Sequence, residues 1–387
     1  MNKEKKARVI AFYLPQFHPI PENDEWWGKG FTEWTNVGNS KPLFKGHYQP
    51  RVPADLGYYD LRLPEVRKAQ AELARDAGLE GFCYYHYWFG NGRQLLERPF
   101  NEVLASGEPD FPFCLCWANH KWSNRSWDRR KAKTKYSVLV DQTYPGKDDH
   151  IAHFYNLLPA FKDKRYIKVD GKPIFLIFHP YSIPETSEFI SLWNSLAKEN
   201  GLNGIYFVGI TQSTLSHIVD ANGNEKIVLP NLKSSKDIYQ RVLSLGYDAV
   251  CSSGKRRGEL LSRNRFISYF NDFLGRQDVV VSRYDYSKVI KNIFAPEDNW
   301  ENVFPSIFPQ WDRSARCGRE EGIYINATPD NFRLLLSKCI DLIKNKEEDH
   351  RIILINSWNE WAEGSYLEPD LKYGHGFLDV IKECLNS

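Results

Sequence analysis

Glu360 and Glu363 stand three residues apart in Asn356-Ser357-Trp358-Asn359-Glu360-Trp361-Ala362-Glu363-Gly364-Ser365. Two carboxyls so close can share acid and base work at an anomeric carbon, one raised in pKa to protonate a leaving oxygen, the other ionised as base or nucleophile. An extended strand would send them to opposite faces, whereas one helical or turn-like step brings i and i+3 together, and Gly364 permits such a turn. Trp358 and Trp361 are expected to lower the local dielectric and push one acid toward its protonated form. The plainer alternative is that both glutamates cap a helix or pair with Arg or Lys on a rim. The strand context, the flanking tryptophans and Asn359 favour chemistry.

The pair directly follows Ile352-Ile353-Leu354-Ile355, a branched aliphatic run that reads as a strand buried on both faces. Seven more runs resemble it: Arg8–Tyr13, Gly81–Tyr87, Phe113–Ala118, Pro173–Phe178, Ile205–Ile210, Tyr247–Ser252 and Val303–Phe308, the last strand being read as Ile352–Ser357. Helical spacing separates them, at Leu63–Ala77, Asp149–Phe161, Glu185–Asn200, Tyr284–Asn292, Asn331–Lys344 and Gly376–Asn386. Eight such units predict an α/β fold, a single (β/α)8 TIM barrel with long βα loops occupying residues 1–387 as one catalytic domain. In that fold active sites lie at the C-terminal strand ends, where the two acids stand.

The other strand ends carry similar chemistry. The first gives Tyr13, Gln16 and His18, with Trp34 further on as a platform. The second gives Tyr85 or Tyr87, His86 and Trp88; alternation along a strand lets only one of each neighbouring pair face the site. Trp117, Asn119 and Trp122 follow the third, His179 the fourth, and Trp311 and Asp312 the seventh. Taken singly, each is as well explained by packing. Their convergence at five strand ends, with Asn359 beside the acids, predicts a cleft of aromatic platforms and polar hydrogen-bonders suited to sugars. Two long loops, Asn119–Thr143 with Trp122 and Trp127, and Thr211–Ile238, are expected on the same face.

Composition narrows the partners. Lys plus Arg (51) nearly balances Asp plus Glu (49), which leaves no long-range field for nucleic acid or an anionic membrane. Aromatics reach 14% with twelve Trp, many beside Asn, Asp, His and Gly, which suits an oligosaccharide or polysaccharide. Seven cysteines, mostly inside apolar runs, read as reduced core residues, and Cys114-Leu-Cys116 lacks the second pair that zinc would require. No cofactor and no metal is expected, and the glycine-rich phosphate fingerprints of dehydrogenases and P-loop enzymes are absent. Without a signal-like or membrane-spanning run, a cytoplasmic location is the expectation.

Trp358-Asn359-Glu360-Trp361-x-Glu363-Gly364, together with Ala11-Phe12-Tyr13-Leu14-Pro15-Gln16-Phe17-His18 and Trp26-Trp27-Gly28-x-Gly30-Phe31-Thr-Glu33-Trp34, resembles the WbsX family, over nearly the whole chain. That family is glycosyltransferase-like, is associated with O-antigen or lipopolysaccharide biosynthesis, and is similar to glycoside hydrolase family 99, retaining endo-α-mannosidases on a (β/α)8 barrel. The likeness to family 99 implies that Glu360 is the base that assists the sugar 2-hydroxyl, closing a 1,2-anhydro sugar, and that Glu363 is the general acid/base. The chain departs from family 99 at Ala362, often polar there, and in its first strand end.

These readings lead to a retaining glycosidase acting on a bacterial surface polysaccharide or a derived oligosaccharide. Glycosyl transfer in O-antigen assembly is the alternative, although no D-x-D acid pair stands at a strand end. A carbohydrate-binding barrel without catalysis is a third, against which the presence of both glutamates argues.

Overall fold

The computed structural model describes residues 6–124, 136–212, 217–219, 225–227, 231–262, 281–319 and 322–386. Eight parallel strands form a closed barrel: β1 (Arg8–Tyr13), β2 (Gly81–His86), β3 (Phe113–Trp117), β4 (Lys172–Ile177), β5 (Tyr206–Gln212), β6 (Ala249–Ser253), β7 (Val303–Ile307) and β8 (Ile352–Ile355). Each strand pairs in parallel with its sequence neighbour, and β1 closes the ring on β8 with Ile10 opposite Leu354. The (β/α)8 expectation is met, with strand bounds shifted by at most about two residues.

The branched residues of β8 show why the strands form. All four, Ile352–Ile355, are completely buried, because a barrel strand has side chains filling the interior on one face and packing under helices on the other. Between β7 and β8 the helix Pro329–Ile343 starts where Pro329 occupies its first turn and the Thr328 hydroxyl accepts from the Asn331 amide at 3.3 Å. It turns Phe332, Leu335, Leu336, Cys339 and Ile343 onto the barrel.

Some elements differ from the expected ones. Helices Arg98–Ser106, Lys236–Leu243 and Lys255–Ser262 add to those expected, and Pro21–Trp27 and Glu33–Asn39 sit in the first crossover. Tyr284–Asn292, expected as one helix, starts as the strand Arg283–Asp285 against Ile323–Ile325, then continues as the helix Tyr286–Val289 and a 3-10 turn. In the loop after β3, Trp122–Ser123 pairs antiparallel with Val138–Val140; Trp127 and the rest of 125–135 lie outside the described residues, as do 213–216, 220–224 and 228–230 of the loop after β5. All seven cysteines are buried and lie in no disulfide. No described helix is long and apolar enough to cross a membrane.

An aromatic layer joins helix to barrel on the β4–β5 side. Trp193, on the helix Thr186–Glu199, is 0% exposed, lies 5.1 Å from Phe175 and 4.9 Å from Phe189 between ring centroids, and donates from Nε1 to the His150 carbonyl at 3.0 Å. Trp193→Ala is expected to cost about 3–5 kcal/mol in urea unfolding, from lost burial and the cavity left behind.

Candidate active site

Beyond β8 the chain stays in register for a few more residues: the Asn356 amide donates to the Ile307 carbonyl at 2.8 Å and the Trp358 amide to the Phe12 carbonyl at 2.7 Å. It then folds into a short ribbon, Asn359–Glu360 against Ser365–Tyr366, capped by the 3-10 turn Trp361–Glu363. This is the turn that the i, i+3 spacing requires. Gly364 follows at φ 54°, and a β-carbon there would come within 2.9 Å of the Asp312 backbone nitrogen, so glycine is demanded by both conformation and space. Ser357 pins the ribbon from below, its Oγ accepting from the Glu360 amide at 2.9 Å and donating to the Ser365 carbonyl at 2.7 Å.

Both carboxyls reach one cavity of about 690 Å3 at the C-terminal strand ends, walled by Tyr85, Tyr87, Trp122, Phe178 and Trp311. Their electrostatics are opposed. Burial, reinforced by the negative charge of Glu363, pushes the Glu360 carboxyl up to about 8 despite the pull of Arg316. Burial also works against ionising Glu363, but Arg313 and Arg316, with Lys255 and a hydrogen bond from Glu360, outweigh it and hold Glu363 below the usual range. Arg313 Nε lies 3.1 Å from Glu363 Oε1, and Arg316 pairs with the same oxygen from its other side. Arg316 is fixed in turn by Glu33, 3.0 Å away and 0% exposed. At neutral pH the pair therefore holds one proton, resident on Glu360.

Residues 9–381 match the family described as Glycosyltransferase WbsX. The chain belongs to the WbsX family. It is 37% identical over 383 residues to the uncharacterized protein WxcX from Xanthomonas campestris pv. campestris, strain B100, with 98% of this chain aligned and 50% of that protein. The WxcX of strain ATCC 33913 gives the same values. The chain thus spans about half the length of these curated relatives. Among solved structures it resembles a glycoside hydrolase-like protein at a TM-score of 0.60 and 15% identity, covering 100% of this chain and 95% of that one. A GH99 endo-alpha-mannosidase from Bacteroides thetaiotaomicron matches at 0.52 and 13%, covering 98% and 96%. At these identities the likeness establishes the shared barrel.

In this WbsX-family barrel the expected site residues divide by strand face. Tyr85, Trp122 and Trp311 line the cavity together with Glu360 and Glu363, and His179 lines a second one that shares Tyr85 and Trp311 with it. The others do not. Tyr13 points outward, donating to Gln70 Oε1 at 2.7 Å, while its neighbour Phe12 faces the cleft. His86 and Trp88 lie on the outer face of β2 and beyond it: His86 Nε2 meets His153 Nε2 at 2.8 Å, and Trp88 stacks on His153 at 4.6 Å. Burial lowers His86 to about 3, so it is neutral. Trp117 donates to the Trp88 carbonyl at 3.0 Å, and Trp34 to the Tyr59 carbonyl at 2.8 Å. Gln16 is fully buried, and His18 is buried with Nδ1 at 3.1 Å from the Pro15 carbonyl.

Three expected binders are instead braces. Asn119 clamps the end of β4 by accepting from the His179 amide at 2.7 Å and donating to its carbonyl at 3.0 Å. Asn359 does the same to Leu14, at 2.7 and 3.0 Å. Asp312 takes hydrogen bonds from Gln49 at 2.8 Å and sits 2.9 Å from His47, and its own amide donates to the Glu363 carbonyl at 2.7 Å. Trp358 packs on Phe82 and Trp361 stacks on Tyr366 at 3.8 Å, so the apolar surroundings of the acids come from rings on other strands. Sequence reasoning passed over Phe12, Phe178, Gln212, Asn356 and the two arginines. Asn356 Oδ1 is buried without a hydrogen-bond partner in the wall of the cleft, an acceptor available to a sugar hydroxyl.

The Glu33–Arg316 pair is buried, and removing one partner of such a pair strands the other charge. Glu33→Gln is expected to lower stability by about 3 kcal/mol in chemical denaturation.

Proposed function

We propose that this chain is a retaining glycoside hydrolase acting on a bacterial surface polysaccharide or an oligosaccharide from it. The observation that carries the reading is the pair itself: two buried carboxyls at the two ends of one 3-10 turn, of opposed proton affinity, in an aromatic cleft. The resemblance to family 99 supplies the roles. Glu360 takes the proton of the sugar 2-hydroxyl as that oxygen closes on the anomeric carbon, while Glu363 gives its proton to the departing oxygen. Glu363 then takes a proton from the water that opens the 1,2-anhydro sugar at the anomeric carbon, and Glu360 returns its proton to the 2-oxygen. Two inversions at one carbon give net retention.

This cycle starts with the proton on Glu363, whereas the unliganded pair keeps it on Glu360. The total is the same, and a shift of the shared proton between the two neighbouring carboxyls is all that separates the two arrangements. Loss of that proton abolishes either arrangement. Glycosyl transfer is the second reading, favoured by the description of the family as glycosyltransferase. Transfer from an activated sugar differs in the group that departs and in the acceptor that opens the intermediate.

The test pairs bacterial polysaccharides, and separately UDP- or GDP-sugars with acceptor, against wild type, Glu360→Gln and Glu363→Gln. Each variant should lose about 10²–10⁴-fold in hydrolysis, and wild-type hydrolysis should fall as pH rises through about 8, where Glu360 surrenders the shared proton. Donor-dependent product without hydrolysis would replace hydrolysis by transfer, and unaltered rates in both variants would remove the pair from the chemistry.

A further inference from the structure

Beside the chamber that holds the glutamates lies a second of about 490 Å3, and the two have Tyr85, Phe178, Gln212, Trp311 and Asn356 in common. Its lining is mainly aromatic and apolar, with neutral hydroxyl and amide groups. His179 also lines it, kept neutral by burial. Among the described lining residues one group is charged: Lys255, whose ammonium sits over the Trp311 ring, 3.2 Å from its centroid. The contact holds the charge in the wall of the chamber.

We propose that this second chamber binds an anionic group of the substrate, a carboxylate or a phosphate, against Lys255. The inference rests on the reading of the cleft as a site of glycosyl chemistry and adds the class of sugar it takes. Charged groups attract more strongly between apolar walls than in water, and none of the described residues lining this chamber is a carboxylate that would repel the ligand.

The position also couples binding to chemistry. Lys255 is one of the cations that keep Glu363 ionised. An anion docked on Lys255 weakens that influence and raises the proton affinity of Glu363, the direction in which the shared proton must move for Glu363 to act as acid.

Two sources provide this anion, an acidic sugar unit and the phosphate of an activated donor. Calorimetric titrations of a galacturonan tetrasaccharide, its carboxyl-reduced neutral counterpart, inorganic pyrophosphate and UDP into wild type, Lys255→Arg and Lys255→Gln separate them, with melting curves to verify folding. At least one anionic probe should bind wild type and Lys255→Arg, and bind Lys255→Gln about tenfold or more weakly, the scale of one charge-assisted hydrogen bond. The reduced tetrasaccharide should be similarly weak. Binding of galacturonan alone assigns an acidic sugar; binding of pyrophosphate or UDP alone assigns a phosphate. If no anionic probe binds, or if Lys255→Gln binds as wild type does, the inference is wrong. Because binding needs no turnover, such a result leaves the catalytic reading to stand or fall on the glutamate variants.

Discussion

Arg316 is buried between Glu33, 3.0 Å away, and Glu363, and the properties of the cleft follow from that placement. A guanidinium taken out of water must be neutralised, and two carboxylates do so with directed hydrogen bonds. One of them is a member of the reactive pair. Its ionisation is thereby set by structure, and because Glu360 lies beside it in the same cavity, the second carboxyl is left with the proton. Two chemically identical side chains acquire different states from shared burial and from arginines paired with only one of them.

The barrel serves this arrangement by supplying braces from several strands. Asp312, after β7, receives His47, Gln49 and Arg51 and donates its amide to the Glu363 carbonyl. Asn359 ties the catalytic ribbon to the end of β1, and Ser357 ties its two arms together. Each brace is a buried polar group with satisfied partners, which favours a single geometry over sliding alternatives. Glu33, supplied by the crossover after β1, and Arg316, supplied by the segment after β7, meet only because the closed barrel brings β1 and β7 to either side of β8.

The sequence carried the architecture clearly, since eight branched runs separated by helical spacing leave few alternatives to a barrel, and it carried the turn at Glu360–Gly364. It carried the cleft less well, for a reason of geometry. At strand ends rich in aromatics, composition locates the site, but alternation decides which ring faces it, and a one-residue choice inverts the answer. The sequence points to Tyr13, to Tyr85 or Tyr87, and to His86 and Trp88, whereas the cleft takes Phe12, Tyr85 and Tyr87. Asn119, Asp312 and Asn359 sit beside the cleft, yet their polar atoms are used up on backbone and neighbours, which composition cannot reveal. Arg313 and Arg316 were overlooked because their partners, at positions 33 and 363, are distant in sequence or lie beyond the reach of any local pattern.

With arginines keeping Glu363 ionised, the pair holds one proton, on Glu360. Isotope-edited infrared titration of the carboxyl groups, comparing wild type with Glu360→Gln, tests this most directly. A protonated-carboxyl band that disappears as pH rises through about 8 and is missing from Glu360→Gln is the expected result. A band that titrates near the ordinary glutamate value, or one that persists in Glu360→Gln and vanishes instead in Glu363→Gln, would contradict it.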